Sequence, residues 1–221
     1  MFSGKMPSPN AIKTYVENGY YHMYNRGVEK RLIFQDRDDY SKFLYLLKVY
    51  LSPPEDLQKE FPLLKNNLVQ NNLNHEIKLL CFCLMPNHYH LLVKQKAKNA
   101  IIKLMKQVSN AYTTYFNKRH ERVGPLFQGR YKGALIDSDE YLLHLTRYIH
   151  LNPLGRGASL DEFDWSSYLY YLNKRQAAWL DTKLISEYFN NSKKGLSYQD
   201  FVEGDTESID LPPSLTIEPE S

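Results

Sequence analysis

Two histidines, His88 and His90, have the residue type and spacing in this 221-residue chain that most directly suggest chemistry. They follow the apolar run 79–85 (LLCFCLM) and the turn residues Pro86-Asn87. The run is too short for an ordinary helix and is apolar on both alternating faces, which predicts a buried strand. A second strand begins at His88, and side chains two apart on a strand project from the same face. Neighbouring imidazoles are a natural pair of metal ligands, although polar residues on a half-exposed strand show the same spacing.

A later helix carries residues that complement such a pair. Asp137, with Glu140 three positions on, has the pattern of a capping box, and the helix ends near residue 151, before Asn152-Pro153. Tyr148 and Asn152 are four apart and so share a helix face. They offer a hydroxyl nucleophile and an amide oxygen ligand. Spacing alone does not bring this face to the histidines, and a core tyrosine beside a helix-capping asparagine is the alternative.

Two further histidines are rival ligands on the same helix. His144 lies one turn before Tyr148, whereas His150 points away from that face. Both rank below Asn152.

The remaining periodicity predicts the elements that position these residues. Strands are expected at 20–26, 76–85, 88–94 and 127–136, and helices at 36–50, 99–120, 137–151, 165–172 and 183–189. The order β-α-β-β-α-β-α predicts an α+β fold. Its expected form is a ferredoxin-like split βαβ antiparallel sheet backed by helices, with extra C-terminal helices.

The chain is expected to divide into four parts. Residues 1–18 form a loosely ordered N-terminal segment, and residues 19–175 form one domain. That domain holds an insertion at about 51–74, rich in Pro and Asn, with at most one short helix outside the core. Residues 176–199 form a helical extension, and residues 200–221 form an acidic, disordered tail.

Charge is distributed unevenly along the chain. All 28 Lys and Arg residues lie before residue 195, whereas seven of the 25 acidic residues lie from residue 200 onward. A basic body with interleaved aromatics predicts a polyanion partner, most plausibly nucleic acid, although a solvated basic face is the alternative. The candidate phosphate contacts are Arg26, Lys103, Lys106, Lys118, Arg119, Arg122, Arg130, Lys132 and Arg147.

Cysteine content and hydropathy indicate the compartment. Cys81 and Cys83 are too few for a disulfide framework and are expected to be small buried residues in a reducing environment. The N-terminal residues have no apolar signal region, and the longest apolar run has seven residues. A cytoplasmic protein without a membrane span is therefore predicted.

The chain resembles the IS200-like, single-tyrosine (HUH) transposase family, and more closely its branch of REP-associated tyrosine transposases. The resemblance spans roughly residues 20–172. It is carried by YHMYNRG (21–27), MPNHYHLLV (85–93), GPLFQGRYK (124–132), DSDEYLLHLTRYIHLNP (137–153) and DWSSY (164–168).

The resemblance implies a role for each motif residue. The family's metal motif falls on His88-Tyr89-His90, its nucleophile on Tyr148 and its third, amide-bearing ligand on Asn152. The middle motif residue is expected to be hydrophobic, so Tyr89 is a departure, and 154–157 (LGRG) also departs from the usual continuation. Family members use a divalent metal, so Mg²⁺ or Mn²⁺ is the expected cofactor.

The implied activity is single-stranded DNA cleavage and strand transfer through a 5′-phosphotyrosine. The expected partner is DNA, single-stranded or at a hairpin end, and relatives work both as homodimers and as monomers. Two other functions remain open on the same fold. One is a catalytically silent nucleic-acid-binding regulator, and the other is a hydrolytic metallonuclease in which Tyr148 is structural.

Overall fold

The structure is a computed structural model that describes residues 15–190 and 195–204. Its strands are β1 (Tyr20–Arg26), β2 (Ile77–Met85), β3 (His88–Gln95) and β4 (Lys132–Ile136). Its longer helices are α1 (Arg37–Leu51), α4 (Ala100–Arg119) and α5 (Asp139–Leu151). Shorter helices are α2 (Pro54–Glu60), α3 (Asn66–Gln70), α6 (Tyr168–Tyr171), α7 (Lys183–Asn190) and α8 (Tyr198–Glu203).

The four strands form one sheet in the order β2-β3-β1-β4, and every neighbouring pair is antiparallel. β3 therefore lies between β1 and β2, the two strands that α1 connects. This is the split βαβ arrangement, and the predicted α+β fold, with an antiparallel sheet backed by helices, is confirmed.

The two faces of the sheet carry different helices. α1 and α4 pack on the face that includes Met23 and Leu91, where they form one hydrophobic cluster. α5 and α8 pack on the opposite face, against Leu92 and Ile136. Because β2 and β3 are covered on both sides, nearly all their side chains are buried. This double burial explains the uninterrupted apolar run that precedes the two histidines.

Local capping sets where α1 and α5 begin. Asp36 precedes α1 and accepts hydrogen bonds from the backbone N–H groups of Asp38 and Asp39, a cap worth about 1 kcal/mol. α5 is capped by Ser138, whose hydroxyl accepts from the N–H of Tyr141. The predicted capping box at Asp137 is therefore wrong by one residue, because Ser138 also serves as a cap and stands closer to the first apolar turn.

The insertion at 51–74 contains two short helices, α2 and α3, where at most one was predicted. It also reaches the core, since Leu57 and Leu73 are almost fully buried. Its Pro and Asn content hid the helices because Pro53-Pro54 begins α2 instead of ending a helix.

The predicted disordered ends are shorter than expected where the structure describes them. Tyr15 is buried against Tyr21, although it falls in the segment predicted to be loosely ordered. At the other end, α8 continues to Glu203 and begins with a capping box at Ser197, so the acidic tail does not start at residue 200. Residues 1–14, 191–194 and 205–221 lie outside the described residues.

The two cysteines are free and buried, as predicted. No helix within residues 15–190 and 195–204 is long and apolar enough to cross a membrane.

Candidate metal and nucleophile site

His88 and His90 begin β3 and face the α5 side of the sheet. Strand alternation turns the residue between them, Tyr89, to the other face, where it is fully buried. There its ring packs 5.0 Å from the ring of Phe43. Tyr89 thus behaves as the hydrophobic residue that the motif requires, and its departure from the family pattern has no effect on the site face.

His90 is fully buried between two strands. It lies opposite Tyr24 in the β1 register, and diagonally across from His22. The Nε2 atom of His22 and the Nδ1 atom of His90 are 2.9 Å apart, a hydrogen-bond distance. Burial, followed by the neighbouring His22 and His88, lowers the pKa of His90 well below the ordinary value for an imidazole. His90 is therefore neutral near pH 7, the state in which an imidazole can bind a metal.

The second nitrogen of His90 has no ordinary hydrogen bond. Nε2 of His90 is buried and makes no hydrogen bond with acceptable distance and angle to any residue that the structure describes. A buried polar atom left in this way costs about 1–3 kcal/mol. Asn152 lies close enough to oppose part of the decrease in the pKa of His90.

The proton on His88 is positioned by the turn that precedes it. Nδ2 of Asn87 donates to the carbonyl of Lys30, which leaves Oδ1 of Asn87 2.6 Å from Nδ1 of His88. Since an amide oxygen only accepts, Nδ1 of His88 carries the proton, and Nε2 of a neutral His88 presents a lone pair. That nitrogen lies 3.5 Å from Oδ1 of Asn152. Nδ2 of Asn152 donates to the carbonyl of Tyr148 at 2.8 Å, which fixes the orientation of the amide.

Helix α5 brings its predicted face onto the histidines. The ring of Tyr148 stands edge-on to the ring of His90, with centroids 5.5 Å apart and planes at 89°. The ring of His22 is also near, at 6.4 Å. Tyr148 is half-buried, so it is neither enclosed in the core nor turned away from the imidazoles. Strand β3 and helix α5, some sixty residues apart, therefore meet at the four residues selected from the sequence.

The donor set fits a divalent cation. Nε2 of His88 and Oδ1 of Asn152 lie 3.5 Å apart, and with the proton of His88 on Nδ1 both atoms offer lone pairs. Two atoms bound at right angles to one Mg²⁺, at about 2.1 Å each, stand about 3.0 Å apart. Within residues 15–190 and 195–204, no three His, Cys, Asp or Glu side chains are grouped to hold a metal. A third protein ligand must therefore be of another kind, and the amide of Asn152 is in place.

A family model for IS200-like transposases matches residues 54–152. This segment is similar to the IS200-like transposase family. It includes β2, β3, α4, β4 and α5, and therefore His88, His90, Tyr148 and Asn152. The match agrees with the family resemblance seen in the sequence over this segment.

One solved structure that is similar to the chain is a REP-associated tyrosine transposase bound to a REP hairpin. The identity is 11%, the TM-score is 0.49, and the alignment covers 75% of this chain and 86% of that chain. A search of curated proteins finds no match.

The rival histidines of α5 lie away from the site. The ring of His144 packs 5.4 Å from that of Phe201 in α8. His150 is fully buried, where its Nδ1 accepts from the hydroxyl of Tyr198 at 2.7 Å and its Nε2 lies 2.7 Å from Oγ of Ser167. Neither residue reaches His88 or His90.

Two of the predicted DNA contacts already have strong partners within the protein. Arg119 forms ion pairs with Asp36 at 2.6 Å and with Asp38 and Asp39 at 2.9 Å, so three carboxylates already neutralise it. It joins the end of α4 to the start of α1. Arg147 donates to the carbonyls of Phe201 and Gly204 and anchors the end of α8. The sequence reasoning used only the charge of these two residues. Their acidic and carbonyl partners are distant in sequence and could not be foreseen.

Two more of the predicted contacts are engaged within the protein. Lys103 pairs with Glu76 at 2.6 Å, and Arg122 donates to Oδ1 of Asn117 at 2.8 Å. Lys106, Lys118, Arg130 and Lys132 are exposed. Of the nine candidates, these four best fit phosphate contacts away from the metal site.

Arg26 lies at the site itself. It ends β1 directly opposite His88, on the same face as Tyr24, and its charge contributes to the lowered pKa of His90. The next residue, Gly27, is held by a hydrogen bond from its N–H to the carbonyl of Asn87. A Cβ atom at this glycine would stand 2.2 Å from the carbonyl oxygen of Arg31. The close approach fixes the end of β1 beside the histidine hairpin.

His22, Asn87 and Tyr24 were missed by the sequence reasoning. Asn87 was assigned only to a turn, and His22 and Tyr24 only to a tyrosine-rich strand. The available signal was the alternation of β1, since His22, Tyr24 and Arg26 share one face. Which strand that face meets depends on the β1–β3 register, and local spacing does not contain that information.

Proposed function

We propose that the chain is a metal-dependent, single-stranded DNA endonuclease and strand transferase that acts through a 5′-phosphotyrosine at Tyr148. The observation that supports this most strongly is the contact of Tyr148 with His90, 5.5 Å between ring centroids, beside the paired lone pairs of His88 and Asn152. A nucleophile next to a metal-binding set is what phosphodiester cleavage requires.

Nε2 of His88, Nε2 of His90 and Oδ1 of Asn152 would hold Mg²⁺ or Mn²⁺. The bound ion supplies Lewis-acid stabilisation of the negative charge that grows on the scissile phosphate. A mixed nitrogen and oxygen set suits Mn²⁺ better than Mg²⁺, which prefers oxygen throughout.

Tyr148 performs the covalent step. Its phenolic oxygen forms a bond to phosphorus while the bond from phosphorus to the 3′-oxygen breaks. The phenolic proton leaves to solvent, and the departing 3′-oxygen takes up a proton to become a hydroxyl. The 5′-phosphate remains on Tyr148, and attack by a 3′-hydroxyl reverses the step. Because the ester keeps the strand's bond energy, rejoining needs no ATP.

The phenol needs help to ionise. A free tyrosine has a pKa of about 10, so forming the phenolate at pH 7 costs about 4 kcal/mol. Arg26 is the side chain best placed to lower that cost, since it faces the same side of β1 as Tyr24 and lies across from His88. Arg26 also suits a phosphate group, because a guanidinium can bind two phosphate oxygens in a bidentate arrangement.

The DNA strand has a path away from the site. A groove of about 980 Å³ lies between α4 and the loop 125–131, with a mainly apolar lining that also includes Lys106 and Arg130. Asn25 lines the groove and directly precedes Arg26, whose side chain points to the other face. A strand leaving the phosphate at Arg26 therefore reaches the groove after crossing the end of β1. Of the eighteen tyrosines, only Tyr188 is exposed, at 38%, so base stacking on exposed tyrosines has little support.

The decisive experiment incubates the protein with labelled single-stranded and hairpin oligonucleotides and Mn²⁺, followed by denaturing electrophoresis. The wild-type protein is expected to give a covalent protein–DNA adduct. Tyr148→Phe removes only the hydroxyl and is expected to abolish the adduct, with Mn²⁺ and DNA binding retained. Tyr141→Phe is the matched control, because Tyr141 is a tyrosine of the same helix. This variant should keep adduct formation.

Each other outcome identifies a different function. Adduct formation that survives in Tyr148→Phe would reject Tyr148 as the nucleophile. Free cleaved product without an adduct would identify a hydrolytic metallonuclease, and DNA binding without cleavage would identify a regulator. A cytoplasmic location and a homodimer remain predictions of the same proposal.

A further inference from the structure

We infer that His22 is a positioning residue for the metal site: it holds the proton of His90 on Nδ1 and so leaves Nε2 available to the ion. This inference rests on the proposed function, because it assigns a role toward the same metal. His22 lies in β1, outside both the histidine motif and α5.

The geometry of the pair supports the assignment. Nε2 of His22 and Nδ1 of His90 are 2.9 Å apart, and the two rings are nearly parallel, at 13°. Both residues are fully buried. In the β1–β3 register His22 faces Leu92, so it reaches His90 as a diagonal neighbour on the same face of the sheet.

Binding of a cation by Nε2 of His90 requires one proton placement. A proton on Nε2 would block that atom, which makes no hydrogen bond of acceptable geometry to a described residue. With the proton on Nδ1, the N–H donates to Nε2 of His22 at 2.9 Å, His22 carries its own proton on Nδ1, and Nε2 of His90 presents a lone pair. The hydrogen bond made by one imidazole nitrogen sets which atom the other offers to a metal.

The neighbouring ligand is arranged in the same way. Nδ1 of His88 lies 2.6 Å from Oδ1 of Asn87, so each motif histidine has an acceptor at Nδ1 and a lone pair at Nε2. The two acceptors come from different parts of the chain, a strand and a turn. In both histidines the hydrogen bond at Nδ1 turns Nε2 toward the site. This common orientation is the one that binding of an ion at Nε2 requires.

His22 does not act as a third imidazole ligand. Its Nε2 is occupied by Nδ1 of His90, the nitrogen of that ring that faces away from the open Nε2. Within the described part of the chain, no three His, Cys, Asp or Glu side chains form a metal-holding group. The role of His22 is therefore exerted through His90.

The test uses two variants of the full chain. His22→Leu fills the buried position but has no acceptor, and His22→Gln restores a side-chain oxygen near the Nε2 position. Thermal unfolding first confirms that both variants fold. Titration calorimetry with MnCl₂ then measures affinity, and ¹⁵N NMR of the imidazoles in the metal-free protein reports which nitrogen of His90 carries the proton.

We expect the Kd for Mn²⁺ to rise about 10–100-fold in His22→Leu and to return to within about threefold of wild type in His22→Gln. The metal-free wild-type protein should show His90 protonated at Nδ1, and His22→Leu should show protonation at Nε2. Wild-type protonation at Nε2, or unchanged Mn²⁺ affinity in His22→Leu, would overturn the inference.

The NMR result separates this inference from the proposed function. A wild-type protein that binds Mn²⁺ without forming a DNA adduct would reject strand transfer and leave the role of His22 intact. If either variant fails to fold, the protonation state of His90 in the wild-type protein still decides the inference.

Discussion

Two imidazole clusters occupy the same face of the sheet and differ in how completely their polar atoms are paired. In the closed cluster, formed by His150, Cys81, Ser167 and Tyr198, both nitrogens of His150 have partners at 2.7 Å. In the open cluster, formed by His22, His88, His90 and Asn152, Nδ1 of each motif histidine has a partner. In the same cluster, Nε2 of His90 makes no hydrogen bond to a described residue, and Nε2 of His88 lies 3.5 Å from Oδ1 of Asn152.

The difference separates a structural histidine from a proposed ligand more sharply than burial does. His90 and His150 are equally buried, and burial lowers the pKa of both. What differs is the partner of Nε2. Because an unpaired buried polar atom costs about 1–3 kcal/mol, the open cluster retains a penalty that the closed cluster lacks. A bound cation removes that penalty, so the open cluster is the one suited to a metal.

The largest expected effect comes from removing Nε2 in the open cluster. His90→Asn keeps a donor near the Nδ1 position for His22 and deletes Nε2. We expect the rate of adduct formation to fall at least about 1,000-fold, since several kcal/mol of charge stabilisation is lost. Quenched time points on denaturing gels measure this rate.

The free energy of unfolding of the same variant distinguishes the open cluster from the closed cluster. In metal-free buffer, His90→Asn should cost less free energy of unfolding than Tyr198→Phe does. A loss of activity explained by unfolding would remove the distinction between the clusters.

The next effect is on stability in the closed cluster. Tyr198→Phe removes the hydroxyl that donates to Nδ1 of His150 and leaves that nitrogen buried without a partner. The free energy of unfolding should fall by about 1–3 kcal/mol, measured by urea denaturation. Mn²⁺ affinity should stay within about threefold of wild type. A large loss of affinity would show that the closed cluster also supports the metal.

The smallest effect is the dependence of stability on pH. Burial lowers the pKa of His150 from 6.5 to about 3. As pH falls below 6.5, the unfolded chain takes up a proton that the folded protein refuses, so stability is lost from pH 6.5 down to about 3. Between pH 6.5 and 5.5, His150 alone should remove about 1 kcal/mol. His90 acts in the same direction.

Urea denaturation at several pH values in metal-free buffer checks this expectation. His150→Gln should flatten the dependence, because it removes one of the histidines whose pKa burial lowers. Equal slopes in the variant and wild type would show that His150 is not held neutral.

Several parts of the fold were readable from local patterns. The alternation in β1 and the turn at Pro86-Asn87 predicted β1, β2 and β3 to within a residue. The prediction of the fourth strand from residue 127 was wrong by five residues, since β4 begins at Lys132. The four residues His88, His90, Tyr148 and Asn152 were selected by residue type, spacing and family resemblance. Their meeting was not derivable, because no local pattern states that α5 packs on the face opposite α1 and α4.

The features that were missed depend on contacts distant in sequence. The proposed role of His22 depends on the β1–β3 register, and Arg119 pairs with aspartates eighty or more residues earlier. Likewise, Cys81 was expected to be a small apolar residue, yet its Sγ lies 3.2 Å from Nε2 of His150. Charge and hydropathy assign a residue to the surface or the core, but they do not name its partner.

The hydrogen bond from the amide of Asn152 to the carbonyl of Tyr148 ties the proposed nucleophile and ligand into a single helical turn. If α5 tilts or slides, phenol and amide must travel together, whereas the imidazoles stay on the sheet. Inserting one residue between them would rotate the amide by about 100° around the helix axis and carry it off the cation. Chain length in this turn is thus as constrained as the identity of the side chains it carries.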